Sequence, residues 1–210
     1  MKMQNRISLA IVLAVEIIAA PATFGNAIRF DFGPAGTPAV TALFEDVGLN
    51  QVNLTITTPG LVGNNSVNSL FFNFNPAFDS HNLIFTQTSS IGGVQGSANN
   101  ANDSYKVSGG GGKFDIKLDF NQASAFTAGN SVTYSITGVS GFSVSDFLFL
   151  QTPAAGRIPT YAAGSLQELS GIVVVNGSPQ TVPDEASTFS LLALCLTAFP
   201  WAARRFRTLI

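Results

Sequence analysis

The sequence predicts an all-β protein: an antiparallel β-sandwich of jelly-roll-like form, set between an amino-terminal signal helix and a carboxyl-terminal transmembrane helix. Three observations predict the sandwich. Apolar and polar residues alternate with period two through the middle of the chain, turn formers punctuate the runs, and no amphipathic helical pattern competes with them. In chain order, Ile28, Phe30 and Phe32 alternate with Arg29 and Asp31, and Val52, Leu54 and Ile56 alternate with Asn53, Thr55 and Thr57. Residues 69–74 and 82–88 are further strand candidates. The clearest case is residues 113–120, where Phe114, Ile116, Leu118 and Phe120 share one face and Lys113, Asp115, Lys117 and Asp119 the other, the signature of a half-buried strand. Val132, Tyr134 and Ile136 repeat the pattern, and residues 166–175 carry the β-branched run from Ile172 to Val175. Turns are expected at Thr58-Pro59-Gly60, Gly63-Asn64-Asn65, Asn75-Pro76, Ala128-Gly129-Asn130 and Asn176-Gly177. Residues 145–149 read either as a short helix capped by Ser145 or as strand. Residues 89–112, dominated by Gly, Ser and Asn, show no period and read as a flexible hairpin tip or a ligand-facing loop.

The chain has 210 residues, with 10 Lys or Arg, 12 Asp or Glu, one His and one Cys, and a net charge of −2. Mean hydropathy is +0.31 and only 10 % of residues are charged, whereas roughly a quarter is usual in a soluble domain. A net acidic chain lacks the basic stripe that nucleic acid requires, so no nucleic-acid partner is expected. The single cysteine, Cys195, excludes an internal disulfide and a Cys-rich metal cluster.

The excess hydrophobicity lies at the two ends. Lys2 and Arg6 precede an apolar run over residues 7–20, interrupted by Glu16, and Gly25 and Ala27 supply small residues at −3 and −1. This is the order of a secretory signal peptide over residues 1–27, cleaved after Ala27, with a second site after Ala22. At the other end, residues 189–203 are mostly apolar and Arg204, Arg205 and Arg207 follow. At 1.5 Å per residue, residues 186–203 span about 27 Å, just short of a hydrocarbon core of roughly 30 Å. Basic residues flank the outer end of each apolar run, which holds both outer ends in the cytoplasm and translocates the middle, residues 28–181. In that middle, acids outnumber bases and cysteine is absent.

Before the terminal span stand Val182, Pro183, Asp184, Glu185, Ala186, Ser187 and Thr188. This motif (182–188), the apolar helix (189–203) and the basic tail (204–210) resemble in order the PEP-CTERM protein-sorting signal, in its VPD variant. Ala186 stands where the variant commonly has Gly. The residues carrying the likeness are Val182, Pro183, Asp184, Ser187, Thr188, Arg204 and Arg205. The resemblance implies recognition by a transpeptidase-like exosortase in a Gram-negative-type envelope, cleavage near the motif, and release or attachment at the cell surface. Residues 71–76, 112–116 and 145–148 also look similar to stretches of exported domains of this class. That softer likeness assigns no activity.

Catalytic chemistry is hard to assemble from this sequence. His81 is the sole histidine, and on an extended chain Asp79-Ser80-His81 does not close as a triad. Asp115 and Asp119 share a strand face but stand roughly 13 Å apart, beyond the separation of glycosidase carboxylate pairs. Glu45 and Asp46 diverge on a strand, and Gly109 to Lys113 lacks the spacing of a phosphate loop. Asn99, Asn100, Asn102 and Asp103 are the one calcium candidate, with Asp79 or Asp119 as neighbours, and read first as a solvated turn, so no cofactor is expected.

The leading expectation is therefore an exported, non-catalytic surface or extracellular-matrix protein whose transient partners are signal peptidase and an exosortase. The alternative is an exopolysaccharide-binding module, which predicts Tyr105, Tyr134 or Tyr161 grouped on one exposed face. A third reading, a polysaccharide hydrolase, requires two of Asp31, Asp46, Asp79, Asp115, Asp119, Asp146 and Glu168 together in a cleft.

Overall fold

The computed structural model describes residues 26–34, 36–107, 112–120, 126–153, 159–168 and 171–182, without the side chains of residues 152, 153, 168, 171–175 and 181. The signal helix, the transmembrane helix and the sorting residues from Pro183 to Arg205 lie outside them. Among the described residues no helix is long and apolar enough to cross a membrane.

Among the described residues twelve strands form one antiparallel sheet. They are β1 (Ala27–Phe32), β2 (Val40–Gly48), β3 (Gln51–Thr57), β4 (Ser66–Phe72), β5 (Ile84–Ile91), β6 (Ser97–Lys106), β7 (Gly112–Asp119), β8 (Phe126–Thr127), β9 (Ser131–Thr137), β10 (Thr152–Pro153), β11 (Ala162–Glu168) and β12 (Gly171–Thr181). The sheet runs β7-β4-β11-β12-β1-β2-β3-β9-β5, with β6 on the other edge of β7 and β8 and β10 as short additions. The expected sandwich of two sheets is thus corrected to a single sheet curled in a barrel-like way around its core. The alternation explains the curl. Each long strand buries one face, and with no α-helix among the described residues to cover that face, the sheet shields it by bending around itself.

Phenylalanine fills the interior. Phe72 presents its ring edge-on to Phe30, Phe32 and Phe44 at centroid distances of 5.8, 6.0 and 5.2 Å, and Phe44 packs on Phe147 at 4.4 Å. Phe120 meets Phe126 at 4.8 Å. A smaller cluster of Phe71, Val107, Phe114 and Ala163 is covered by Tyr105.

The strands that bound the curl are consecutive in the chain, yet no ladder joins β5 to β6. Side chains join them instead. Asn100 Nδ2 donates to the carbonyls of Ser80 and Leu83 at 2.7 and 3.1 Å, just ahead of β5, and Asn102 Oδ1 accepts from the Ser80 amide and hydroxyl at 2.9 and 2.6 Å. Gln87 Nε2 donates to the Val94 carbonyl. The expected flexible loop over residues 89–112 is therefore in large part strand, and its asparagines hold the seam. Two of the calcium candidates are spoken for in the same way: Asn100 and Asn102 bind the backbone and side chain of the 3-10 turn Ser80–Asn82.

Three local expectations change. Asn176-Gly177 is not a turn but lies within β12, where a Cβ on Gly177 would sit 2.8 Å from both Ala162 Cβ and the Phe32 ring, so only glycine lets β12 approach. The run 166–175 divides into β11 and β12. Residues 144–147 do form a short helical turn, but its amino-terminal cap is Ser143 rather than Ser145, with the Ser143 amide donating to Asp146 Oδ2 at 2.8 Å.

Tyr134 is buried, and its hydroxyl has no hydrogen-bond partner among the described residues. Burial disfavours the phenolate and pushes its pKa up to about 12. An unpaired buried hydroxyl costs free energy, so Tyr134→Phe is expected to leave stability unchanged or raise it by about 1 kcal/mol, read from urea unfolding. A loss above that size would show that the hydroxyl has a partner.

Candidate functional site

A hollow of about 270 Å³ is lined by Asn73, Phe74, Pro76, Asn102, Asp103, Asp115, Phe149 and Leu150. Its shape follows from an interruption in one ladder. The β6–β7 register runs from Ser97 opposite Asp119 to Asn100 opposite Ile116, then resumes at Tyr105 opposite Phe114, so residues 101–104 bulge outward. Asp103 at the crest has φ +48°, a left-handed conformation that Asp tolerates better than most residues.

Asp115 on β7 fastens the bulge. Its Oδ1 accepts the Asp103 amide at 2.7 Å, and its Oδ2 accepts the amide of Phe74, just past β4, at 2.9 Å. Burial raises the carboxyl's pKa above 3.8, against the lowering effect of these two amides. A ¹³C titration should place its midpoint above 3.8. Because the folded chain then binds this proton more tightly than the unfolded chain, the contribution of Asp115 to stability is greatest at low pH. It falls as pH rises through the raised midpoint.

Asn73 forms the floor. It is 3 % exposed, and its Nδ2 donates to the carbonyls of Thr160 and Tyr161 at 3.2 and 3.0 Å. Its Oδ1 has no hydrogen-bond partner among the described residues. Phe149 and Leu150 form a wall, and Leu148, just before them, lines a second groove with Ile28, Tyr161, Pro179 and Gln180. The two concavities thus flank residues 148–150.

The expected tyrosine platform is absent. Tyr134 is in the core, Tyr105 covers the small cluster, and Tyr161 packs against the main core beside the second groove. Nor do the sequence-predicted carboxylates gather in this hollow, which takes Asp115 alone of them. Asp31 binds Arg29 at 2.8 Å and accepts from Thr41, while Asp119 pairs with Lys117 at 2.9 Å. Asp46 accepts the Val144 amide, and Asp146 accepts from the Ser143 amide and Asn75 Nδ2, so these two hold the same short turn. The side chain of Glu168 lies outside the described residues.

Asp79 and His81 lie exposed on a turn. The segment is a 3-10 turn rather than extended chain, and Asp79 Oδ1 meets His81 Nδ1 at 2.8 Å. That bond lowers the pKa of Asp79. Ser80 is fully buried and donates to Asn102, so it takes no part with the exposed pair.

Asn73 and Phe149 were not singled out as a site in the sequence, and Asp103 only as a calcium candidate. The only signal was the aperiodic Asn-rich stretch, which revealed neither the bulge nor what faces it. No family model, curated protein or solved structure matches the chain.

Proposed function

We propose that the chain is an exported, non-catalytic protein of the cell surface or extracellular matrix, matured by signal peptidase and an exosortase-type transpeptidase. The observation that carries this reading is the meeting of the two ends. β1 and β12 are antiparallel neighbours with Ile28 opposite Thr181, and the Val182 amide donates to the Ala27 carbonyl at 3.4 Å. An amino-terminal leader and a carboxyl-terminal anchor would then leave the barrel side by side, so a folded domain can stand at a membrane through both segments without unfolding either edge. Carboxylates tied to backbone amides and cations, as most are here, are poor acids and bases, which supports a non-catalytic role.

Expressing the full chain in hosts with and without the transpeptidase tests the reading. The expected result is a product shortened at its carboxyl end and found at the surface or in the medium only when the enzyme is present. Identical membrane retention of an intact tail in both hosts would overturn it. A second reading, binding of a saccharide, is favoured specifically by the hollow.

A further inference from the structure

We infer that the hollow between the β6 bulge and residues 148–150 is a binding site for one sugar unit of a neutral polysaccharide. This inference gives that second reading a site and a ligand class, and it does not depend on the sorting route. Sugar rings present two kinds of surface, an apolar C–H face and an edge of hydroxyls that both donate and accept. The hollow offers both complements. Phe74, Phe149, Pro76 and Leu150 supply apolar walls, and Asn73, Asn102 and Asp103 supply polar groups.

The most informative group is Asn73 Oδ1. Asn73 is 3 % exposed and lines the hollow, and both hydrogen bonds it makes use Nδ2. Its Oδ1 accepts no hydrogen bond among the described residues, which leaves it open to a ligand hydroxyl. Asp103 adds an exposed carboxylate with no side-chain partner among the described residues, and Asn102, whose Oδ1 is held by Ser80, has its Nδ2 amide to donate.

Charge narrows the ligand class. Among the described residues no Lys or Arg lines the hollow and two Asp do, which disfavours uronate, sulfate or phosphate polymers. Both oxygens of Asp115 already accept amides, so the one carboxylate with open capacity is the water-exposed Asp103. The volume of about 270 Å³ is at the small end of ligand sites and suits a single ring. The groove beyond residues 148–150, with Tyr161 in its wall and about 280 Å³ in volume, is placed to take a further unit of the same chain.

Affinity electrophoresis of the full chain in a non-ionic, sugar-free detergent tests this. The gels carry dextran, a mixed-linkage β-glucan, xylan or galactomannan, with alginate and polylysine as charged controls. At least one neutral polymer should retard the protein, with retardation insensitive to 0.5 M NaCl, since uncharged contacts are little screened. Phe149→Ala should weaken it at least tenfold and Asp103→Asn about threefold or more, without lowering the melting temperature of the chain enough to unfold it. Asn is chosen at position 103 because it tolerates the left-handed backbone. The inference is overturned if no neutral polymer retards the chain, if folded Phe149→Ala is retarded as strongly as the parent, or if polylysine alone binds and salt abolishes it. Transpeptidase processing is read by a different assay, so failure here leaves the sorting proposal standing and failure there leaves this site standing.

Discussion

Phe72→Ala is expected to destabilise the barrel by about 3–5 kcal/mol, the largest effect of any single substitution considered. Phe72 is fully buried and touches Phe30, Phe32 and Phe44 edge-on. Those rings belong to β1 and β2, whereas Phe72 ends β4, which reaches β1 through the sheet only by way of β11 and β12. Its ring therefore bridges parts of the sheet that are several strands apart along the hydrogen-bonded path. Truncation removes the transfer free energy of an aromatic ring, the edge-to-face contacts and the packing between distant strands. Urea denaturation should show the loss as a lowered midpoint with little change in slope. A cost under about 1 kcal/mol would mean that the two sides of the sheet do not share one core.

The seam should be the second most sensitive feature. Asn102→Ala leaves the fully buried Ser80 without an acceptor for either its amide or its hydroxyl, and a cost of about 2–4 kcal/mol is expected from two unpaired groups. Asn100→Ala strands the carbonyl of Leu83 and leaves that of Ser80 with the Leu83 amide alone. Only one group loses all its partners, so its cost should be the smaller. Both substitutions should accelerate amide exchange at residues 80–84 before they affect β1 to β3, because the seam opens locally where no ladder supports it. Uniform acceleration throughout the sheet, or none at the seam, would contradict its assignment to side chains.

Strands with a strict period were legible in the sequence, since alternation at 28–32, 52–57, 113–120 and 132–136 recurs in β1, β3, β7 and β9. Alternation reports that one face is buried but not what covers it. A curled sheet and a two-sheet sandwich bury the same faces, so the sequence pointed to an antiparallel sheet without fixing its closure. β6 was missed for a different reason. Its residues, SANNANDSYK, are mostly exposed on both faces and carry no hydrophobic period, and the hydrogen bonds of Asn100 and Asn102 reach segments some twenty residues away. β2 has Val40, Ala42 and Phe44 inward, but the small Ala42 and the acidic pair Glu45-Asp46 obscure that pattern. At Asn176-Gly177 a strong turn dipeptide sits mid-strand, because the close approach of Ala162 and Phe32 demanded glycine for space rather than for a bend. The hollow was the least legible feature. It depends on a bulge, on a carboxylate receiving amides from two other segments and on a buried asparagine, none of which leaves a local pattern.

The exported, processed state is the claim on which the functional account rests, and intact mass spectrometry of the protein recovered from a host carrying the transpeptidase tests it most directly. The account predicts a chain beginning at Ile28 and ending near residues 182–188. The amino-terminal strand would then start with the first residue that β12 pairs, and the carboxyl end would lie just beyond Thr181. A recovered chain that still begins at Met1 and ends at Ile210 would contradict it.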